Sequence, residues 1–194
     1  MKSVAYPSTS PALTTADDDG YLFRVVPSDA QQGQAIGDLV AYYGLENPAI
    51  IYMTNDYGAG TADATENRLE ENDIETCVKI GYDDGQTDFY YEVEEIKDNG
   101  CDSMVMISYA DDGAAIIEEL RDQEVNIPVF GGDGIADQAF LNYLSDPSDA
   151  EGVFATRGAW SSSASKEGDY FDADYDEKCE DEYDGGDCET NGIY

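Results

Sequence analysis

Between residues 49 and 155 short apolar runs alternate with stretches of helical periodicity, and that alternation leaves few folds open to the chain. Strands are expected near residues 49–53, 76–82, 103–108, 127–130 and 152–155. Apolar stripes between them, such as Phe89, Val93 and Ile96, or Ala115, Ile116, Glu119 and Leu120, mark helices. Because a helix-length segment follows each strand instead of a tight hairpin, the strands must run parallel, joined by right-handed crossovers. This predicts an α/β fold built on a doubly wound parallel sheet. All strand tips then share one carboxyl edge, where such sheets bind small ligands.

Four segments have the form of an apolar strand, a polar tip and an amphipathic helix: residues 50–57, 76–86, 103–111 and 128–137. The last passes from Pro128-Val129-Phe130 through Gly131 and Gly132 to Asp133, a lone carboxylate placed where the next helix should begin. Asp133 is therefore the first candidate for ligand contact. Upstream, Pro7 and Pro11 bar residues 5–14 from helix interior or central strand and leave Ser8, Thr9 and Ser10 as a hydroxyl-rich turn. Residues 17–20 form a surface turn and residues 21–26 a short strand ending at Pro27. Ser28 reads as a helix N-cap, with Ala35, Ile36, Leu39, Val40 and Tyr43 as the apolar stripe and Gly44 as the terminator.

Several chemistries are closed. With no histidine, the Ser-His-Asp, Cys-His and HExxH arrangements cannot be built and most zinc sites are excluded, so neither metal nor cofactor is expected. A net charge of −35, from 44 acids against 9 bases, repels nucleic acid and anionic lipid surfaces alike. No run approaches the roughly 18 apolar residues of a membrane span. Gly58 and Gly60 after the strand at 50–53 imitate a dinucleotide fingerprint, but Asp63 stands where its third glycine belongs and would set a negative charge against a pyrophosphate. A nucleotide-dependent α/β enzyme is thus the weaker alternative. Cys179 and Cys188 bracket a short acidic loop that a disulfide could close in an oxidising compartment; Cys77 and Cys101 read as small buried residues near strand starts.

One constellation suits a free amino acid. The hydroxyls and turn N–H groups of Ser8, Thr9 and Ser10 fit a carboxylate, Asp133 accepts from an ammonium, and Tyr57 or Tyr109 adds a phenolic oxygen. Each residue alone has a plainer explanation, as turn former, helix cap or amphipathic surface.

The segments 7–14 (PSTSPALT), 21–33 (YLFRVVPSDAQQG), 55–60 (NDYGAG) and 130–134 (FGGDG), in that order, resemble the type I periplasmic binding proteins. The resemblance is strongest to the leucine/isoleucine/valine-binding branch that serves ABC transporters, and it runs from residue 5 to about 160. It implies two α/β lobes around a ligand, with no catalysis. By that resemblance Ser8 and Thr9 hold the ligand carboxylate, Tyr57 and Tyr109 line the cleft, and Asp133 meets the α-ammonium. Some relatives carry glutamate at that last place, so the shorter Asp133 departs from them. The resemblance further implies an extracytoplasmic protein, periplasmic or at the cell surface, that passes a branched-chain amino acid to a membrane permease. A sensor binding an amide or small amine is the alternative within the family. It also implies that residues 1–27 belong to the hinge and carboxylate loop, that residues 28–160 form the second lobe, and that further lobe and hinge segments lie beyond both ends.

Past Trp160 the composition turns acidic, and Phe171, Tyr175, Cys179 and Tyr183 recur at a spacing of four. Residues 161–194 read as an amphipathic helix and loop that return toward the hinge, or else as an acidic tail. Carboxylates this dense repel one another over the Debye length of about 10 Å at 0.1 M salt, which suits a salt-adapted protein. Melting temperature should therefore climb steeply between dilute and molar potassium chloride. A flat melting profile across that range would remove salt adaptation as the reason for the charge.

Overall fold

The computed structural model describes residues 3–5, 8–24 and 26–158. Its centre is a five-stranded sheet of β3 (Pro48–Met53), β4 (Val78–Tyr82), β5 (Ser103–Ile107), β6 (Val129–Gly131) and β7 (Val153–Ala155). The strands lie in the order β4-β3-β5-β6-β7 and every pair is parallel. Between them run α2 (Asp56–Glu71), α3 (Tyr90–Asp98), α4 (Ala110–Asp122) and the short α5 (Gln138–Tyr143), with α1 (Asp29–Tyr42) preceding β3. A separate parallel pair joins β1 (Ser3–Ala5) to β2 (Leu22–Arg24). The expected doubly wound α/β sheet is present, with strand limits within two residues of the expected ones.

Period-two alternation divides the core between the two sheet faces. Ala49, Ile51 and Met53 of β3 pack with Met104, Met106 and Val129 against Phe89, Val93, Ile96, Ile116, Ile117 and Leu120. On the opposite face Ile50, Val105, Ile107 and Phe130 meet Ile36, Val40, Ala62 and Leu69. Helices α1 and α2 thus cover one face, and α3 and α4 the other.

The buried stripe of α1 differs from the expected one. Ala35 is exposed and Tyr43 half exposed, whereas Gly33 and Gly37 are buried with Ile36 and Val40. A Cβ at position 33 would lie 2.7 Å from Ala64 Cβ, and one at position 37 would lie 2.8 Å from Arg68 Cβ. These glycines let α1 and α2 touch nearly backbone to backbone. Ser28 caps α1 as expected, its side chain accepting from the Ala30 N–H. Gly44, at φ +69°, ends the helix with N–H bonds back to Ala41 from its own amide and to Val40 from Leu45.

Cys77 and Cys101 correct the sequence reading: they form a disulfide, with Cα atoms 5.8 Å apart. They precede β4 and β5, the two neighbours of β3, and the bond spans the amino edge of the sheet above the start of β3. Their adjacency depends on strand order, which residue spacing does not reveal. Cys179, Cys188 and the helix expected around Phe171, Tyr175 and Tyr183 lie outside the described residues.

Closing a loop with a sequence separation of 24 should stabilise the fold by about 3 kcal/mol through the unfolded chain. Reduction with dithiothreitol is expected to lower the urea midpoint accordingly. An unchanged midpoint after verified reduction would show that this bond contributes nothing.

Candidate functional site

Strand β3 is followed in the sheet by β4 on one side and β5 on the other, so the connections after β3 and β5 leave toward opposite faces and a crevice opens between their carboxyl ends. Asn55 starts α2 directly on β3 by accepting the Gly58 N–H at 2.8 Å. A Cβ at position 58 would lie 2.1 Å from the Met53 carbonyl oxygen, and one at position 60 would lie 2.9 Å from Pro11 Cδ. The two glycines that imitated a dinucleotide loop are thus accounted for by close packing, and Asp63 is engaged by Lys79 at 2.7 Å. The same compact start sets Tyr57 at the mouth of the crevice.

After β5, Tyr109 occupies the N-cap position of α4 without capping it. Its ring, 45% exposed, stacks on Tyr57 with centroids 5.4 Å apart and planes 12° apart. Beneath the pair the Tyr82 hydroxyl donates to buried Asp112, whose carboxyl is raised by burial against the pull of that bond.

After β6 the chain makes a 3-10 turn at Asp133–Ile135. The Tyr57 hydroxyl donates to Asp133 Oδ1 at 3.2 Å. Cβ atoms at positions 132 and 134 would lie 2.9 and 3.1 Å from that hydroxyl, so the flanking glycines make room for it. Burial, and next the Asp133 charge, push the Tyr57 phenol well above its ordinary value, which keeps it a neutral donor. Asp133 does not cap the following helix; Asp137 does, through the Ala139 N–H. The exposed Asp133 carboxylate therefore has no helix-capping duty.

The hydroxyl-rich loop reaches the same edge through α1. The Asp29 N–H donates to the Thr9 carbonyl at 2.9 Å, and the Thr9 side chain bonds the Asp29 carboxylate. Arg24 braces this loop by donating to the Ser10 carbonyl at 3.0 Å and to the Thr14 hydroxyl at 3.0 Å. Ser8 is exposed beside Thr9. Thr9, Tyr57, Tyr109 and Asp133 are thereby linked through direct contacts or through Asp29, with Ser8 at the rim.

Sequence reasoning missed Asp29. An acid in the first turn of a helix ordinarily faces water and complements the dipole, yet this one is 1% exposed and its Oδ2 has no hydrogen-bond partner. Burial pushes its carboxyl up to about 6; the Thr9 hydroxyl pulls it down, Asp133 adds to the rise, and Arg24 opposes it. One turn on, Gln32 donates from Nε2 to the Thr156 carbonyl at 3.1 Å. Its Oε1 is buried without a partner, 3.0 Å from where a Cβ of Gly132 would stand. The arrangement is rich in acceptors: two carboxylates and an amide oxygen around a phenol, suited to a group with several N–H donors and a positive charge. Among the described residues no cluster of three potential metal ligands occurs.

A family profile described as periplasmic binding protein matches residues 2–186. An amino acid binding protein of Pseudomonas aeruginosa is 27% identical over 153 residues, which cover 78% of this chain and 41% of that one. A Leu/Ile/Val-binding protein homologue of Brucella abortus is 26% identical over 137 residues, covering 70% and 36%. The chain thus spans well under half the length of these relatives. Among solved structures, the leucine binding protein LivK of Thermotoga maritima superposes with a TM-score of 0.69 at 19% identity, covering 81% of this chain and 45% of that one.

A carboxyl raised from 3.8 to about 6 in the folded chain opposes folding once it ionises, and each unit corresponds to about 1.4 kcal/mol. Its penalty is absent below the unfolded value and complete above the folded one. Asp29→Asn is therefore expected to raise stability at pH 7.5 by about 1–3 kcal/mol, the gain shrinking to nothing as pH falls through 6 toward 4. Chemical denaturation at several pH values tests this; a variant no more stable than wild type at pH 7.5 would contradict it.

Proposed function

The chain belongs to the periplasmic binding protein family, and from that premise we propose that it binds a free α-amino acid, of the branched-chain class, for uptake through an ABC permease. The observation that carries the reading is the Tyr57–Asp133 hydrogen bond at the switch-point crevice, with a second carboxylate, Asp29, tied to the Thr9 loop beside it. In this reading Asp133 accepts from the ligand ammonium, Ser8 and Thr9 receive its carboxylate, and the Tyr57–Tyr109 stack walls the cleft. Asp29 strengthens the cationic end of the site by charge. In this reading the residues bind the solute and none of them has a catalytic role.

The names of the relatives support the ligand class: one is an amino acid binding protein and another a Leu/Ile/Val-binding homologue. The Cys77–Cys101 disulfide supports an oxidising, extracytoplasmic setting. Two acids at one site favour a charged ammonium over the neutral amide of a sensor ligand. The nucleotide alternative loses its only support, since Gly58 and Gly60 are occupied by packing against Met53 and Pro11.

Losing one partner of a desolvated charge pair costs about 2–5 kcal/mol, or roughly thirty-fold to several thousand-fold in affinity. In a protein carrying both lobes, where the ligand is closed off from water, Asp133→Asn should weaken binding of leucine, isoleucine or valine by that factor, whereas Asp56→Asn, exposed in the first turn of α2, should matter far less. Titration calorimetry on both variants separates the cases, and undiminished affinity in Asp133→Asn would sink the ammonium assignment.

A further inference from the structure

Asp29 and Asp112 are the buried acids of the described residues, and they are held differently. Asp112 receives the Tyr82 hydroxyl on one oxygen. Asp29 and Asp112 each keep one oxygen without a hydrogen-bond partner, but Asp29 lies between the Thr9 loop and the Asp133 turn, and the groups that act on it come from four elements. Thr9 approaches from the loop, Arg24 from β2, Asp133 from the turn after β6 and Tyr57 from the first turn of α2. The one cation among them spends its guanidinium on the Ser10 carbonyl and the Thr14 hydroxyl and so offsets Asp29 only at a distance. The amino end of α1 favours an anion, but the Ala30 N–H is already taken by the Ser28 hydroxyl. Asp29 is shut away from water while Asp133 is exposed near it, so the Asp133 charge adds to the cost of ionising Asp29 unless a cation joins them.

We propose that Asp29 links ligand capture to proton release: in mildly acidic solution it stands protonated in the empty cleft and gives its proton to solvent as an ammonium group settles against Asp133. The inference rests on the amino-acid reading above and adds a condition to it. No bond other than the Asp29 O–H breaks, and the proton leaves to the buffer. The arriving ammonium replaces the positive charge lost at the acidic end of the cleft, while the ligand carboxylate brings its own negative charge to the Thr9 loop. Since burial sets Asp29 near 6, the linkage falls between neutral pH and about 5.

The test is calorimetry of the full chain with L-leucine, in two buffers of unlike ionisation enthalpy at pH 5.5, and over a series from pH 7.5 to 5. The expected result is a buffer-dependent heat that reports release of most of one proton, with affinity about tenfold weaker at pH 5 than at pH 7.5. Asp29→Asn, which loses the charge that strengthens the cationic end of the site, should bind leucine more weakly at pH 7.5, with no proton released and no further loss of affinity toward pH 5. 4-Methylpentanoate, which lacks the ammonium, should release no proton in wild type. Leucine binding with no proton released and no loss of affinity toward pH 5 overturns the inference, as does an Asp29→Asn variant that keeps both. Should that variant fail to fold, the wild-type buffer comparison and the deaminated analogue still decide. Absence of binding by leucine, isoleucine and valine at pH 7.5 is a different failure, because it removes the amino-acid reading itself and this inference with it.

Discussion

The parallel pairing of β3 with two neighbours that follow it in sequence, β4 on one side and β5 on the other, is the constraint from which the rest of the structure descends. It sends successive crossovers to opposite faces, so α1 and α2 bury one side of β3 while α3 and α4 bury the other. It also makes the two flanking strands start at the same level, which brings Cys77 and Cys101 within bonding distance. At the far end it leaves a gap that no crossover fills. The Tyr57–Tyr109 stack spans that gap, and Asp133 stands beside it on the next strand outward.

How much of this was legible in the chain depended on the kind of information required. Strands and helices followed from periodicity, because burial on two faces writes itself into residue order. The tips of β3, β5 and β6 could be named as candidates for ligand contact from the same pattern, and Tyr57, Tyr109 and Asp133 do stand together at that edge. Three features escaped. The Cys77–Cys101 bond needs the strand order. The Gly33 and Gly37 contacts need the identity of the partner helix, since a glycine in a helix carries no mark of what lies against it. Asp29 looked like an ordinary first-turn acid, and only the loop folded over it shows that water is shut out.

Asp29 also places the acidic composition in another light. Most of the acids of the described residues lie in solvent, where screening is cheap. Asp29, like Asp112, is different in kind: it is buried where its charge is opposed, with an oxygen left bare. A fold selected for stability alone would place an amide there. Local inconsistency of this sort is what a site kept for binding is expected to show.

The glycine seam between α1 and α2 carries a last consequence, for how such a chain can diverge. Asp29 and Tyr57 sit in the first turns of the two helices that Gly33 and Gly37 lock together, while Asp133 belongs to the loop after β6. A single methyl added at position 33 meets Ala64 Cβ and the Thr61 carbonyl oxygen below 3 Å, so it would wedge the helices apart and carry both residues away from Asp133. Neutral drift is consequently open at the solvent face of α1 and closed along its seam. The heritable record of the crevice geometry lies partly in two residues that have no side chain of their own to place in it.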